Sequence, residues 1–210
     1  MSGWGILGGT FNPPHNGHLE CARHALAELE LERLALMPVC LPPHKRGDAD
    51  PGSEHRVKMC HLAIADAEGL TVSTLEVERE GPSYTVDTLR AIDVSDPGAE
   101  LTFVVGADMA RTLPSWRAPR ELLRLARLAV AEREGAAQRE ICEVLRSLGA
   151  EDRVVFLNMV PVDVSSSMVR DRVAAGDSID GLVPAGVARY IADYGLYRDP
   201  GRAERGPIRS

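Results

Sequence analysis

Aromatic side chains are scarce in this chain: Phe, Trp and Tyr make up 4% of its 210 residues, so the few that fall beside turns stand out. Basic residues are outnumbered, 24 Lys and Arg against 31 Asp and Glu, which leaves a formal net charge of −7. Nucleic acid polymers and anionic membrane surfaces select the opposite balance, so neither is an expected partner. Small anions remain open, because a few N–H groups and cations can hold a phosphate inside an acidic protein. The four cysteines, Cys21, Cys40, Cys60 and Cys142, include no CxxC pair. They give no support to a disulfide framework, and reduced thiols in a cytoplasmic protein are expected. No apolar run reaches membrane-spanning length. No basic segment followed by an apolar one stands at the N-terminus, so no export signal is expected. There is no internal repeat and no low-complexity segment.

What the chain does have is an alternation of apolar runs with helical patterns. Trp4–Leu7, Leu34–Val39, Leu70–Glu78, Leu101–Val105, Leu128–Ala131 and Arg153–Leu157 read as strands. Leu19–Glu30, Ser53–Ala67, a segment after Ser83, Gln138–Leu148, Ser165–Ala175 and Pro184–Tyr194 read as helices, with Ser53 and Ser83 as caps. On Ser53–Ala67 the apolar face predicted by spacing is Val57, Cys60, His61 and Ile64. Two shorter helices broken by Pro114 and Pro119 follow the fourth strand. The expected fold is α/β, a doubly wound Rossmann-like parallel sheet with helices on both faces. Residues 1–198 are expected to form one domain and residues 199–210 a disordered tail. Hydrophobic content of 44% suffices for a core at this length.

Such sheets bind ligands beyond the carboxyl ends of their strands. The chemically suggestive segments all follow strands. The first is Gly8-Gly9-Thr10-Phe11-Asn12-Pro13-Pro14-His15-Asn16-Gly17-His18. Glycines at a strand-to-helix turn let backbone N–H groups approach a phosphate, and the next helix aims its positive end there. Gly17 stands where a side chain would crowd a ligand. His15 and His18, three apart, face one side of a first helical turn. Taken alone, the pair also fits a surface site at a helix start; a zinc site needs further ligands that are not nearby. The second segment is Pro42-Pro43-His44-Lys45-Arg46, whose prolines stiffen the approach of a cation. The third is Gly106-Ala107-Asp108, a carboxylate just beyond a strand, equally suited to capping a helix. In Val164-Ser165-Ser166-Ser167-Met168-Val169-Arg170, the serines can cap a helix or donate to phosphate. Ser166 and Arg170 share one helix face. Pro82-Ser83-Tyr84-Thr85 and Trp116 place flat rings after turn signals, where they can stack on a ring-shaped ligand or merely pack a loop.

His15-Asn16-Gly17-His18 resembles the T/HxGH motif of the nucleotidyltransferase superfamily. The longer run from Gly9 to Leu19 is most similar to the nicotinate-nucleotide adenylyltransferase family, which more often has Asp where this chain has Asn12. The Val164–Arg170 segment resembles that group's ISSTxxR motif, with Val164 for Ile and Ser167 for Thr. The resemblance implies adenylyl transfer from ATP to nicotinate mononucleotide, giving nicotinate adenine dinucleotide and pyrophosphate. It implies catalytic roles for His15, His18, Lys45 and Arg170. It implies an ATP site made of Gly8, Gly9, Thr10, Phe11, His15, His18, Gly106, Asp108, Ser165, Ser166 and Arg170. Lys45, Tyr84, Thr85 and Trp116 would meet the acceptor. Mg2+ would ride on the ATP phosphates, with no metal ligands assigned in the protein. A homo-oligomer is left open. Nicotinamide mononucleotide, phosphopantetheine or a sugar phosphate with CTP stay as alternative substrates. A class I aminoacyl-tRNA synthetase and a non-catalytic nucleotide-binding regulator stay as alternative readings.

Overall fold

The computed structural model describes residues 3–40, 50–79, 81–132, 137–159 and 162–198. Strands β1 (Trp4–Gly9), β2 (Arg33–Pro38), β3 (Leu70–Val72), β4 (Leu101–Gly106), β5 (Ala126–Glu132) and β6 (Val154–Asn158) form one sheet. Their order is β3-β2-β1-β4-β5-β6, and every neighbouring pair is parallel. The chain leaves β1 to build β2 and β3 on one side, then crosses back to place β4 on the other. The carboxyl ends of β1 and β4 therefore flank the topological switch point, where open α/β sheets leave a crevice.

Among the described residues, eight α-helices connect and cover the strands: α1 (Asn16–Glu28), α2 (Ser53–Ala63), α3 (Thr85–Ser95), α4 (Ala107–Arg111), α5 (Pro119–Leu125), α6 (Gln138–Leu148), α7 (Ser166–Ala175) and α8 (Ala185–Asp193). Successive strand residues point to opposite faces, and the two cores follow that alternation. Leu7, Val104 and Ala129 pack under α1, α2, α7 and α8. Their sequence neighbours Ile6, Phe103, Val105, Leu128 and Val130 pack under α3, α5 and α6. All these side chains are buried, so the strands carry continuous apolar runs, as a sheet covered on both faces requires.

The expected order of elements is present, with local differences. The third strand ends at Val72, not Glu78, because the chain turns: the Glu78 N–H donates to the Thr74 carbonyl. Helix α1 starts three residues early, at Asn16, and α2 stops at Ala63. The caps of α2 and α3 are Gly52 and Tyr84, so neither Ser53 nor Ser83 caps its helix. The Ser83 hydroxyl instead accepts from the Cys40 N–H at 3.1 Å, tying the approach to α3 to the end of β2. The buried face of α2 is Arg56, Met59, Cys60 and Ala63, rotated from the face its spacing suggests. The tail 199–210 lies outside the described residues.

Candidate active site

The turn between β1 and α1 is fixed through its carbonyls. The Gly9 carbonyl accepts from the Val39 N–H at 3.1 Å. The Thr10 carbonyl accepts from Arg56 Nη1 at 2.9 Å, the Asn12 carbonyl from Arg170 Nη1 at 2.7 Å, and the Pro13 carbonyl from Ser166 Oγ at 2.9 Å. A trans peptide points its N–H away from its C=O. Carbonyls held from behind thus aim the N–H groups of Thr10 and Phe11 the other way. Neither of those N–H groups, nor that of Gly17, donates to a backbone carbonyl among the described residues. The first turns of α1 and α7 carry no acidic side chain, which leaves their positive ends uncompensated. The two distant sequence segments therefore meet, and they meet around a cluster of donors.

His15 is the N-cap of α1 and His18 its third residue; their ring centroids lie 3.7 Å apart. His18 Nδ1 accepts from the His15 N–H at 3.2 Å, so the proton of a neutral His18 ring resides on Nε2, free to donate outward. Phe11, at φ +50°, meets the His18 ring edge-on at 4.9 Å. Burial lowers the His15 pKa to about 4. Burial and the neighbouring His15 push that of His18 well below the ordinary value as well. Both rings are neutral donors at pH 7, not cations. His15 Nδ1 is buried against the first turn of α1, where the His15 side chain faces the His18 backbone N–H as the other half of a capping box. A Cβ on Gly17 would stand 3.1 Å from His15 Nδ1 and 3.2 Å from Val164 Cγ1, so this glycine makes room for the ring and for the chain before α7.

Arg170 spends one nitrogen on the turn and sets Nη2 3.4 Å from Ser167 Oγ. Ser165 caps α7 by accepting from the Met168 N–H at 3.1 Å. Gly106 closes β4 with open space in front of it, and it, not Asp108, is the N-cap of α4. The Asp108 side chain is 98% exposed and takes Arg111 Nη1 at 2.8 Å. Tyr84 lies under the Arg117 guanidinium, 4.7 Å from its ring centroid, and Thr85 begins α3. Trp116 donates to Thr112 Oγ1 at 2.9 Å and meets Phe103 edge-on, whose ring in turn lies 3.1 Å from where a Gly8 Cβ would be. That chain of contacts joins the Trp116 loop to β1. Lys45 and the whole Pro42–Arg46 segment fall outside the described residues.

Residues 6–172 match the cytidylyltransferase-like family model. A nicotinate-nucleotide adenylyltransferase of Synechococcus is 41% identical over 198 residues, 93% of this chain and 95% of that one. One from Geobacillus thermodenitrificans is 39% identical over 193 residues, covering 92% and 85%. The chain belongs to the nicotinate-nucleotide adenylyltransferase family. In fold it is similar to the Plasmodium falciparum nicotinic acid mononucleotide adenylyltransferase complexed with NaAD, at a TM-score of 0.77 and 19% identity over 94% of this chain and 98% of that one.

Three residues outside the motifs, and Asn16 inside one, make buried or long-range polar contacts that sequence reasoning did not single out. Arg56 is a helix residue with no exposed surface. Tyr197, beyond α8, donates to Asn12 Oδ1 at 2.6 Å, so the side chain of Asn12 is engaged from the far end of the fold. Asn16 donates its N–H to the Leu182 carbonyl and Nδ2 to the Gly181 carbonyl, anchoring the start of α1. Glu76 is buried, accepts from Thr88 Oγ1 at 2.8 Å, and has its pKa raised chiefly by burial. Only Asn16, inside the motif, could have been flagged by position.

A neutral His15 makes stability depend on pH. The unfolded ring titrates near 6.5 and the folded ring near 4, so between those values the unfolded state binds more protons. Stability should be full above pH 6.5, fall as pH drops toward 4, and lose on the order of 3 kcal/mol through this residue. Urea unfolding at pH 7 and pH 4.5 checks it: His15→Gln should show a shallower loss than the wild type. Parallel losses would mean that His15 is not held neutral.

Proposed function

We propose that this chain transfers the adenylyl group of MgATP to nicotinate mononucleotide, giving nicotinate adenine dinucleotide and pyrophosphate, as a step of NAD biosynthesis in the cytoplasm. The observation that carries this reading is the meeting of the two motif segments. Arg170 and Ser166 of α7 grip the Asn12 and Pro13 carbonyls of the turn that bears His15 and His18. A triphosphate laid across that junction meets the N–H groups of Thr10 and Phe11, the outward Nε2–H of His18, the His15 ring, and the free edge of Arg170.

The acceptor's phosphate oxygen forms a bond to the α-phosphorus as the α–β bridging bond breaks, and the electron pair leaves with pyrophosphate. That oxygen is already ionised near neutral pH, so no general base is required. The protein's work is positioning and charge stabilisation. His15, His18, Lys45 and Arg170 are assigned to the phosphates. Neutral imidazoles suit this role, since they donate hydrogen bonds without needing a proton from solvent. Gly8, Gly9, Thr10 and Phe11 line the phosphate turn, and Ser165 and Ser166 close it from α7. The open space at Gly106 is assigned to the adenosine and Asp108 to its ribose hydroxyls. Lys45, Tyr84, Thr85 and Trp116 are assigned to the acceptor, the aromatics to its pyridine ring. Magnesium enters as part of the substrate. Among the described residues no three His, Cys, Asp or Glu lie together to hold an ion. A hard ion with phosphate and water ligands needs no such cage.

Removing the His18 donor should cut turnover about 100- to 1,000-fold with the fold intact, the scale of one lost transition-state hydrogen bond. Pyrophosphate release by His18→Ala, with circular dichroism alongside, measures it; a near-normal rate sinks the assignment. Arg170→Lys should also lose rate, because an ammonium cannot hold the Asn12 carbonyl and a phosphate with one rigid fork. For the acceptor, pyrophosphate release with nicotinate mononucleotide should exceed that with nicotinamide mononucleotide or phosphopantetheine. A preference for the amide would overturn the choice of acid.

A further inference from the structure

Among the described residues Arg56 is the largest fully buried side chain, and it sits on the face of α2 that turns toward the β1–α1 turn. Its guanidinium reaches three separate stretches of chain. Nη1 donates to the Thr10 carbonyl at 2.9 Å, Nη2 to the Cys40 carbonyl at 3.0 Å, and Nε to Asp50 Oδ1 at 3.1 Å. Asp50 Oδ1 also accepts from the Gly52 N–H at 2.9 Å, so the carboxylate is itself fixed to the start of α2. Thr10 follows β1, Cys40 follows β2, and Asp50 precedes α2. No apolar side chain could satisfy these three acceptors at once. Burying a guanidinium is costly, and a hydrophobic residue of similar size would pack α2 on the sheet without that cost. The charge is therefore explained by what it holds, not by the packing it provides.

What it holds is the peptide next to the proposed site of reaction. The Thr10 carbonyl and the Phe11 N–H belong to one planar unit and point in opposite directions. A cation bonded to the carbonyl both turns that N–H away from α2 and polarises it into a stronger donor. Resting on the adenylyl-transfer reading, we propose that Arg56 is a positioning residue: through the Thr10 carbonyl it presents the Phe11 N–H to the phosphates of the nucleotide. It does not touch substrate.

The test uses the full chain and two variants. Arg56→Lys keeps the charge and loses the three-way fork. Asp50→Asn leaves the guanidinium in place and weakens the partner that orients it, with an amide oxygen that can still accept from the Gly52 N–H. Pyrophosphate release gives kcat and KM, and calorimetric titration with a non-hydrolysable ATP analogue gives a Kd that does not depend on turnover. Arg56→Lys should lower kcat about 10- to 100-fold, the scale of a misplaced donor. It should weaken the analogue about tenfold, while KM for nicotinate mononucleotide stays within about twofold. Asp50→Asn should show the same pattern at about three- to tenfold. A purely structural role would lower the folded fraction and the melting temperature yet leave kcat and Kd per folded molecule at wild-type values. That result in Arg56→Lys overturns the proposal, and if Arg56→Lys does not fold, the same result in Asp50→Asn does so. A wild-type protein that binds the analogue but releases no pyrophosphate with any acceptor sinks the reaction instead, and the analogue affinities still decide the role of Arg56.

Discussion

The β1–α1 turn is held by its carbonyls, and most of the architecture serves that arrangement. Gly9 is held by the end of β2, Thr10 by α2, and Asn12 and Pro13 by α7. These elements are far apart in sequence and converge because β1 lies at the centre of the sheet, beside the switch point. Each bond to a carbonyl is a modest stabilisation taken singly. Collectively they set the direction of the peptide dipoles. A turn whose carbonyls were free could rotate its peptides and offer oxygen atoms, not N–H groups, to an anion.

That order has local costs which the surroundings absorb. Phe11 adopts a left-handed backbone at φ +50°, a conformation that costs a non-glycine residue about 1–2 kcal/mol. Its ring is almost wholly buried and wedged against His18 and Gly9, where a Cβ would stand 3.0 Å from the ring. Packing thus compensates strain at the same residue. The glycines of the motif divide accordingly. Gly8, Gly9 and Gly17 are filled in by Phe103, Phe11 and His15, while Gly106 at the neighbouring strand end faces open space. The first three let rings pack under the turn; the last leaves room above the sheet for a ligand.

The succession of strands and helices and the parallel, doubly covered sheet were legible because they rest on patterns several residues long. The helix Gln138–Leu148 and the Ser165 cap of α7 follow directly from spacing and from hydroxyl chemistry. His15, His18 and Arg170 were singled out because they fall in two motifs that resemble those of a known family, and the fold brings those two segments together. Arg56 was hidden for the opposite reason. A charged residue on a helix reads as its solvent face, so spacing alone rotates α2 toward Val57 and His61 and away from the face it buries. Tyr197 and Glu76 were hidden because their partners, Asn12 and Thr88, are set by tertiary contact rather than by local order. Ser53 and Ser83 were overread: a serine before a helix can cap it, yet Ser83 has a competing bond to the Cys40 N–H.

An acidic protein that handles a polyanion has to separate local from overall charge. In the free chain the two histidines bring no positive charge to the turn, since burial keeps them neutral near pH 7. Among the described residues at the turn, permanent charge comes from Arg56 and Arg170, and each directs one nitrogen at a backbone carbonyl. Positive potential therefore reaches the phosphate position partly through polarised peptides and through the ends of α1 and α7. Fixed dipoles of this kind need no reorganisation when charge shifts from the α-phosphate to the leaving pyrophosphate. Mobile surface cations would have to follow that shift and would release product reluctantly. An acidic exterior with a pair of guanidiniums at the turn accordingly suits a reaction that must both bind a triphosphate and let pyrophosphate go.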